Sequence, residues 1–178
     1  MRKGAVPWTE EDFIDLGESN ERIELFDGSL VVSPAPTPRH QLISTALMMD
    51  LLPAAKAVGL RAFEAVNVRL RPDVIPIPDI AITRQIDLTE LIIDVADVLL
   101  VGEILSPSNP AADRVTKMHY YATAGIEWYL IVDPDGPMMD LYRLKGDVYQ
   151  PHAAASPGAP LHLTEPIEVV IDPARLLD

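Results

Sequence analysis

Short runs of alternating or continuous apolar residues, separated by proline, glycine and acidic turns, divide the chain into strands and capped helices. Thr9 followed by Glu10, Glu11 and Asp12 reads as a helix start, with a side-chain cap and acids suited to the positive end of the helix dipole. This helix is predicted to run to about Ser19. Arg22–Phe26 and Ser29–Ser33 read as two strands joined at Asp27-Gly28, a dipeptide that favours a tight hairpin. The proline-spaced stretch 33–38 is a stiff loop, and Thr37 can cap the next helix with Pro38 at its first position. Apolar residues at Leu42, Ile43, Ala46, Leu47, Met49 and Leu51 carry that helix to Pro53, with an irregular continuation to Gly59.

Arg61–Leu70 and Ile77–Thr83 read as strands across a proline-containing turn; in the second, Asp79, Ala81 and Thr83 share one face and Ile80 and Ile82 the other. Residues 85–97 are acidic and give no clear element. Val98–Leu105 is nearly all apolar, as expected of a central strand covered on both faces. A turn at residues 106–110 feeds a helix with Asn109 as cap and Pro110 at its first position, stopping at Gly125. Strands follow at Glu127–Val132, Met138–Leu144 and Val148–His152. Residues 153–165 form an Ala/Pro-rich surface loop, Pro166–Ile171 a last strand, and Asp172 opens a short terminal helix. This order predicts an α/β (α+β) class, with a central mixed sheet flanked by helices, and its 178 residues fit a single domain over 1–178.

The chain has no cysteine, which excludes disulfides, thiolate metal sites and a thiol nucleophile. No apolar run is long enough to span a bilayer, and the first residues lack the apolar core of a signal peptide, so the expectation is no membrane and a cytoplasmic location. Fourteen basic against twenty-seven acidic residues give a net charge of −13, which opposes the electrostatics of a duplex-binding protein. The acid is uneven, however: residues 9–27 hold eight carboxylates and one arginine, and residues 87–103 hold five with no base. Arg61, Arg69, Arg71, Arg84, Arg114 and Lys117 lie elsewhere and could form a local basic lining.

Glu103 interrupts a strand that otherwise has to be buried. An ionised carboxylate there is costly unless compensated, either by a divalent cation, which favours oxygen ligands, or by an ion pair with a buried arginine. Asp79, on its own a strand-start aspartate near solvent, gains weight beside Glu103, because carboxylates on neighbouring strands can share one metal. Glu24, between Ile23 and Leu25, is either an exposed edge-strand residue or a third acid of the site. Asp113, Lys117 and Tyr121 are spaced four apart and form one helical stripe. That stripe is either a solvent-facing Asp–Lys pair or a route for Lys117 to fold back over the strand end toward a phosphate. His40, near a helix start, is a surface histidine or a group that assists phosphate binding or proton transfer. His119, His152 and His162 show no zinc spacing, Ser106 and Ser108 lack a nucleophile elbow, and no Walker or dinucleotide loop occurs.

One ordered set of residues carries a family resemblance. It begins with Glu24-Leu25-Phe26-Asp27-Gly28, Pro38-Arg39-His40 and Pro78-Asp79, and continues with Val101-Gly102-Glu103-Ile104-Leu105-Ser106-Pro107-Ser108. Asp113, Lys117, Tyr121-Ala122 and Gly125-Ile126 follow, then Trp128-Tyr129-Leu130-Ile131-Val132-Asp133-Pro134. Over roughly residues 9–177 the chain resembles the Uma-type restriction endonucleases, a cyanobacteria-abundant branch of the PD-(D/E)XK nuclease superfamily. The resemblance implies a restriction endonuclease-like fold and an endonuclease hydrolysing DNA with Mg²⁺, or Mn²⁺ as substitute. It implies Asp79 and Glu103 as catalytic acids that hold the metal with the Ile104 carbonyl, and Glu24 as the early acid. Leu105 stands where the superfamily places its lysine, and Lys117 is the implied replacement, with His40, Asp113 and Tyr121 as accessory groups. Double-strand cleavage implies a homodimer, for which Trp128–Val132 and Met138–Tyr142 could offer an edge or face. A catalytically silent nuclease-fold module for dimerisation or regulation is the alternative, favoured by Leu105 and the acidic surface. A nuclease for RNA or branched DNA is a third reading.

Overall fold

The computed structural model describes residues 6–17, 19, 21–106 and 112–178, and the side chains of all of these except 112–114. Thr9 accepts a hydrogen bond from the Asp12 amide, and Asp12 accepts one from the Thr9 amide; this reciprocal cap opens α1 (Glu10–Ile14). The helix stops short of the expected Ser19 because Gly17 takes a positive φ of 67°, which closes its last turn. β1 (Arg22–Phe26) and β2 (Ser29–Ser33) form the expected hairpin. Asp27 and Gly28 both adopt positive φ, and a Cβ at Gly28 would lie 2.6 Å from that of Pro7.

Thr37 caps α2 (Pro38–Ala57) by accepting a hydrogen bond from the His40 amide. The helix continues unbroken through Pro53, contrary to the irregular continuation expected there. Pro53 faces solvent, while Ile43, Leu47, Leu51 and Ala55 on the opposite face pack on the sheet and hold both halves in line. Arg61–Leu70 is not one strand. Ala65 takes a φ of 49°, which divides it into β3 (Arg61–Glu64) and β4 (Asn67–Arg69) and sends the two to different sheets. After β5 (Val74–Ile75), the strand expected from Ile77 begins only at β6 (Ile80–Thr83). The acidic segment contains β7 (Ile92–Asp94) and a 3₁₀ turn, Val95–Asp97, leading into β8 (Val98–Ile104).

The expected cap at Asn109 and Pro110 lies outside the described residues. From Ala112 the chain forms a π-helical stretch, Ala112–Lys117, that runs into α3 (Met118–Thr123). β9 (Trp128–Asp133), β10 (Met138–Lys145) and β11 (Val148–Ala155) follow, then β12 (Leu161–Leu163) and β13 (Val169–Ile171). Asp172 caps the terminal 3₁₀ turn, Pro173–Arg175. Residues 153–165 are therefore not simply a surface loop. The alternation Leu161-His162-Leu163 buries both leucines in the main core, and Ala155 is buried at the end of β11.

The larger sheet has the order β11-β10-β9-β8-β6-β3, antiparallel except for the parallel pair β8–β9, so the expected mixed sheet flanked by helices is present. One face carries α2, where Ile43, Leu47 and Leu51 meet Ile80, Leu100 and Leu130. The other carries α3, where Tyr121 packs with Val101, Leu105, Tyr129 and Ile131. β8 is thus covered on both faces, as its apolar run demands. β9 and β10 lie inside the sheet, with β11 as its edge, so of the edge or face that the sequence suggested for a dimer neither strand offers a free edge. A smaller sheet, β2-β1-β5, docks beside the start of β6. Leu100→Ala removes a fully buried side chain from beneath α2. It is expected to cost about 2–5 kcal/mol of unfolding free energy, read by urea denaturation.

Candidate active site

β6 and β8 run antiparallel with Ile80 opposite Gly102, and one further step of that register sets Asp79 beside Glu103. Gly102 is part of this fit: a Cβ there would lie 3.3 Å from the Ile80 Cβ, so the two strands approach without an intervening side chain. The Ile104 amide leaves the ladder and donates to Asp79 Oδ2 at 2.8 Å. In an extended strand a residue's N–H and C=O leave along the same edge, so the Ile104 carbonyl belongs to the edge that carries Asp79.

Asp79 and Glu103 are 5% and 2% exposed, and the third acid, Glu24, is 2% exposed rather than on a solvated edge. Glu24 Oε1 accepts the Ile77 amide at 2.8 Å, and Oε2 accepts the Ser33 hydroxyl at 3.4 Å. Lys117 folds back over the strand end, as one sequence reading had it. Its Nζ lies 3.1 and 3.2 Å from the two Glu103 oxygens and 3.1 Å from Glu24 Oε1. Tyr121 donates its hydroxyl to Glu103 Oε1 at 2.6 Å. Burial, then the Glu103 charge, push that phenol well above its usual pKa, so it stays a donor. His40, three residues into α2, places Nε2 3.1 Å from Asp79 Oδ2. Glu24, His40, Asp79, Glu103, Ile104, Lys117 and Tyr121 are thus brought together. The side chain of Asp113 lies outside the described residues.

One residue at the centre of this cluster was not singled out from the sequence. Arg22 shares a face of β1 with Glu24, and its guanidinium lies 2.6 Å from Asp79 Oδ1 while a second nitrogen donates to the Ile77 carbonyl. The signal available was its place as the lone base among eight acids in residues 9–27. Arg22 and Glu24 together pin residue 77 through its carbonyl and its amide. Side chains thereby do the work of the ladder bonds that β6 lacks before Ile80. Burial alone would raise the Asp79 carboxyl, but the His40 hydrogen bond, the Arg22 charge and the Ile104 amide outweigh it and hold Asp79 well below the usual carboxylate range.

Of the basic residues expected to form a local lining, Lys117 reaches the site, the side chain of Arg114 lies outside the described residues, and the other four are engaged elsewhere. Arg61 bonds Gln85, Arg69 bonds Glu10 and Asp94, Arg71 bonds Asp27 and Asp73, and Arg84 bonds the Ala96 carbonyl. The cluster instead opens on a cleft of about 770 Å³ in which Arg22, His40 and Asp79 face the apolar side chains of Phe13, Ile14 and Leu91. Among the described residues no three His, Asp or Glu side chains converge as a metal cage. The donor set is of another type, two carboxylates beside a backbone carbonyl. Mg²⁺ is commonly held by one or two carboxylates while keeping several waters, so its chemistry fits these oxygens.

The fold and this acid cluster at the end of adjacent strands define a nuclease-like α/β protein. The family model Uma2, described as "Putative restriction endonuclease", matches residues 10–174, and the chain belongs to that family. Its fold is similar to the crystal structure of a putative nuclease belonging to DUF820 from Anabaena variabilis. The TM-score is 0.77 at 21% identity, over 96% of this chain and 98% of that one. A comparison with curated proteins finds no match.

Asp79 titrates near pH ~3.9 when unfolded and lower when folded. Its ionised form therefore stabilises the native state above about pH 4, and that contribution is lost as the pH falls through the folded value. Asp79→Asn is expected to lower the unfolding free energy at neutral pH by about 3–5 kcal/mol, because it leaves Arg22 without its partner. It should also flatten the fall in stability below about pH 4. Urea titrations of parent and variant across the acid range check both.

Proposed function

We propose that the chain is a divalent-metal-dependent endonuclease that hydrolyses DNA phosphodiester bonds at this cluster. The observation that carries the reading is that Asp79, Glu103 and Glu24, buried and far apart in sequence, are gathered about Arg22 and the Lys117 ammonium, with Asp79 on the wall of a cleft. Membership of a family described as restriction endonucleases supports it, and the fold shared with a DUF820 nuclease agrees. Asp79, Glu103 and the Ile104 carbonyl would hold Mg²⁺, with Mn²⁺ as substitute. When bound, such a cation neutralises charge on the scissile phosphate and makes a water more acidic. Lys117 meets the charge that develops on the phosphate oxygens. Glu24, already an acceptor, orients the attacking water and takes its proton. Tyr121 fixes the Glu103 rotamer, and His40 with the Ile104 amide fixes Asp79, so the two acids are oriented before substrate arrives. Cutting both strands of a duplex would take two copies, and a homodimer belongs to the proposal, with a contact other than an edge of β9 or β10.

One observation favours a second reading, the silent binding module: Asp79 and Glu103 are already paired with protein cations, and Leu105 is buried where the superfamily lysine would stand. The two separate on a single set of assays. Supercoiled and linear DNA are incubated with the purified protein at low salt with Mg²⁺, Mn²⁺ or chelator, alongside Asp79→Ala, Glu103→Ala and Lys117→Ala proteins shown by circular dichroism to be folded. Metal-dependent cutting that drops about 10²–10³-fold in each variant is expected. Cutting by Asp79→Ala and Lys117→Ala equal to the parent would remove the mechanism. Absence of cutting together with absence of calorimetric Mn²⁺ binding would establish the silent module.

A further inference from the structure

Arg22 does more than neutralise a buried acid, and its surroundings say so in four ways. Asp79 Oδ2 is held by the fixed framework, through the Ile104 amide and His40, whereas Oδ1 is held by Arg22. The oxygen with no backbone donor is thus the one the guanidinium covers. Arg22 is incompletely satisfied: its Nε is buried without a hydrogen-bond partner, as is His40 Nδ1 beside the same carboxylate. A permanent structural arginine would be expected to place all its donors. The Arg22 side chain is 21% exposed against 10% for Lys117, and it lines the cleft, so it has somewhere to go. Finally, the charges favour an exchange. Among the described residues, Glu24, Asp79 and Glu103 face Arg22 and Lys117, one negative charge in excess with His40 counted neutral. A dication in the place of Arg22 brings that balance to zero and frees a guanidinium at the cleft wall.

We propose that Arg22 is an exchangeable counter-ion: it holds Asp79 Oδ1 in the metal-free protein, yields that oxygen to the divalent cation, and turns into the cleft to bind the substrate phosphate. The inference rests on the metal-binding reading above and adds to it a positioning residue that ties metal loading to phosphate capture. A guanidinium suits this second post because its planar fork matches two phosphate oxygens. The exchange also accounts for how the acids stay buried and folded without metal, since the guanidinium serves as their counter-charge until the cation arrives.

The test is a calorimetric titration of Mn²⁺ without nucleic acid into the full chain, the Arg22→Gln and Arg22→Lys variants and Asp79→Asn, paired with thermal unfolding in chelator and in Mn²⁺. Arg22→Gln is expected to bind Mn²⁺ at least about tenfold more tightly than the parent, because the competing cation is gone. It should unfold at lower temperature in chelator and recover with Mn²⁺. Arg22→Lys separates exchange from a mere change in net charge: it keeps the charge but loses the fork, and is expected to bind Mn²⁺ several-fold more tightly as well. Binding of a labelled oligonucleotide in Ca²⁺ should weaken about tenfold in Arg22→Gln. If both Arg22 variants bind Mn²⁺ no more tightly than the parent, Arg22 is a fixed partner of Asp79 and the exchange is wrong, while the nuclease reading stands. If no protein of the set binds Mn²⁺, the metal reading fails first and this inference with it. Should Arg22→Gln not fold, the Arg22→Lys titration alone decides.

Discussion

Three carboxylates removed from water at the end of two paired strands set the terms for everything around them. The effective penalty for burying an ion is several kcal/mol even after relaxation, so each acid must be met by a charge or by donors. The chain supplies Arg22 from β1, His40 from α2, Lys117 from the π-helical stretch, Tyr121 from α3, and the amides of Ile77 and Ile104. Elements that share little apolar contact are thereby fastened to one point. The small sheet is an example: beyond its own short pairing with β5, β1 reaches the start of β6 through the side chains of Arg22 and Glu24. The compensation of buried charge is thus also the tertiary lock between the small sheet and the large one.

The same arrangement sorts the basic residues. Arg61, Arg69, Arg71 and Arg84 are spent on pairs at the periphery, which leaves Arg22 and Lys117 as the arginine and lysine seen at the acids. The ion pairs of Arg69 and Arg71 with carboxylates contribute little stability each but offset positive charge at the surface, whereas Arg61 and Arg84 bond neutral groups and keep theirs. A net charge of −13 opposes long-range attraction of a polyanion.

Much of this was legible in the sequence, and what was not has physical reasons. The hairpin at Asp27-Gly28, the caps at Thr9 and Thr37 and the doubly buried strand around Val101 are local signals, and they were read with boundaries close to those observed. Asp79 and Glu103 were legible because a carboxylate in an apolar strand is costly, and a fold keeps one there only where something compensates its charge. Ala65 hid the division of β3 from β4, since a left-handed alanine is set by tertiary contacts and not by its own preference. Pro53 looked like a stop, but a proline on the solvent face of a well-packed helix costs less than the packing returns. Leu161-His162-Leu163 was masked by its Ala/Pro-rich surroundings, although its alternation was that of a half-buried strand. Arg22 was the least visible of the site residues. Its partner Asp79 is 57 residues away, and being the lone base among eight acids was its one local signal.

Leu105 and Lys117 divide apolar packing from charge at this end of the sheet. The Leu105 side chain is 4% exposed and packs with Val101, Tyr121, Tyr129 and Ile131 on the α3 face. A lysine at that position would have to carry its stem and ammonium through this apolar layer, at the desolvation cost of a buried charge. Supplying the amine from Lys117, the last residue of the π-helical stretch, leaves the apolar layer intact. It still delivers Nζ within 3.2 Å of both Glu103 oxygens. The wider turn of a π-helix changes which side chains face inward, and such turns recur at functional sites. Lys117 and Tyr121, four residues apart and so on one helical face, meet the same carboxylate, the first with its charge and the second with its hydroxyl. Leu105 in the strand thus packs in the apolar layer, while the charge that meets Glu103 comes from the helix above it.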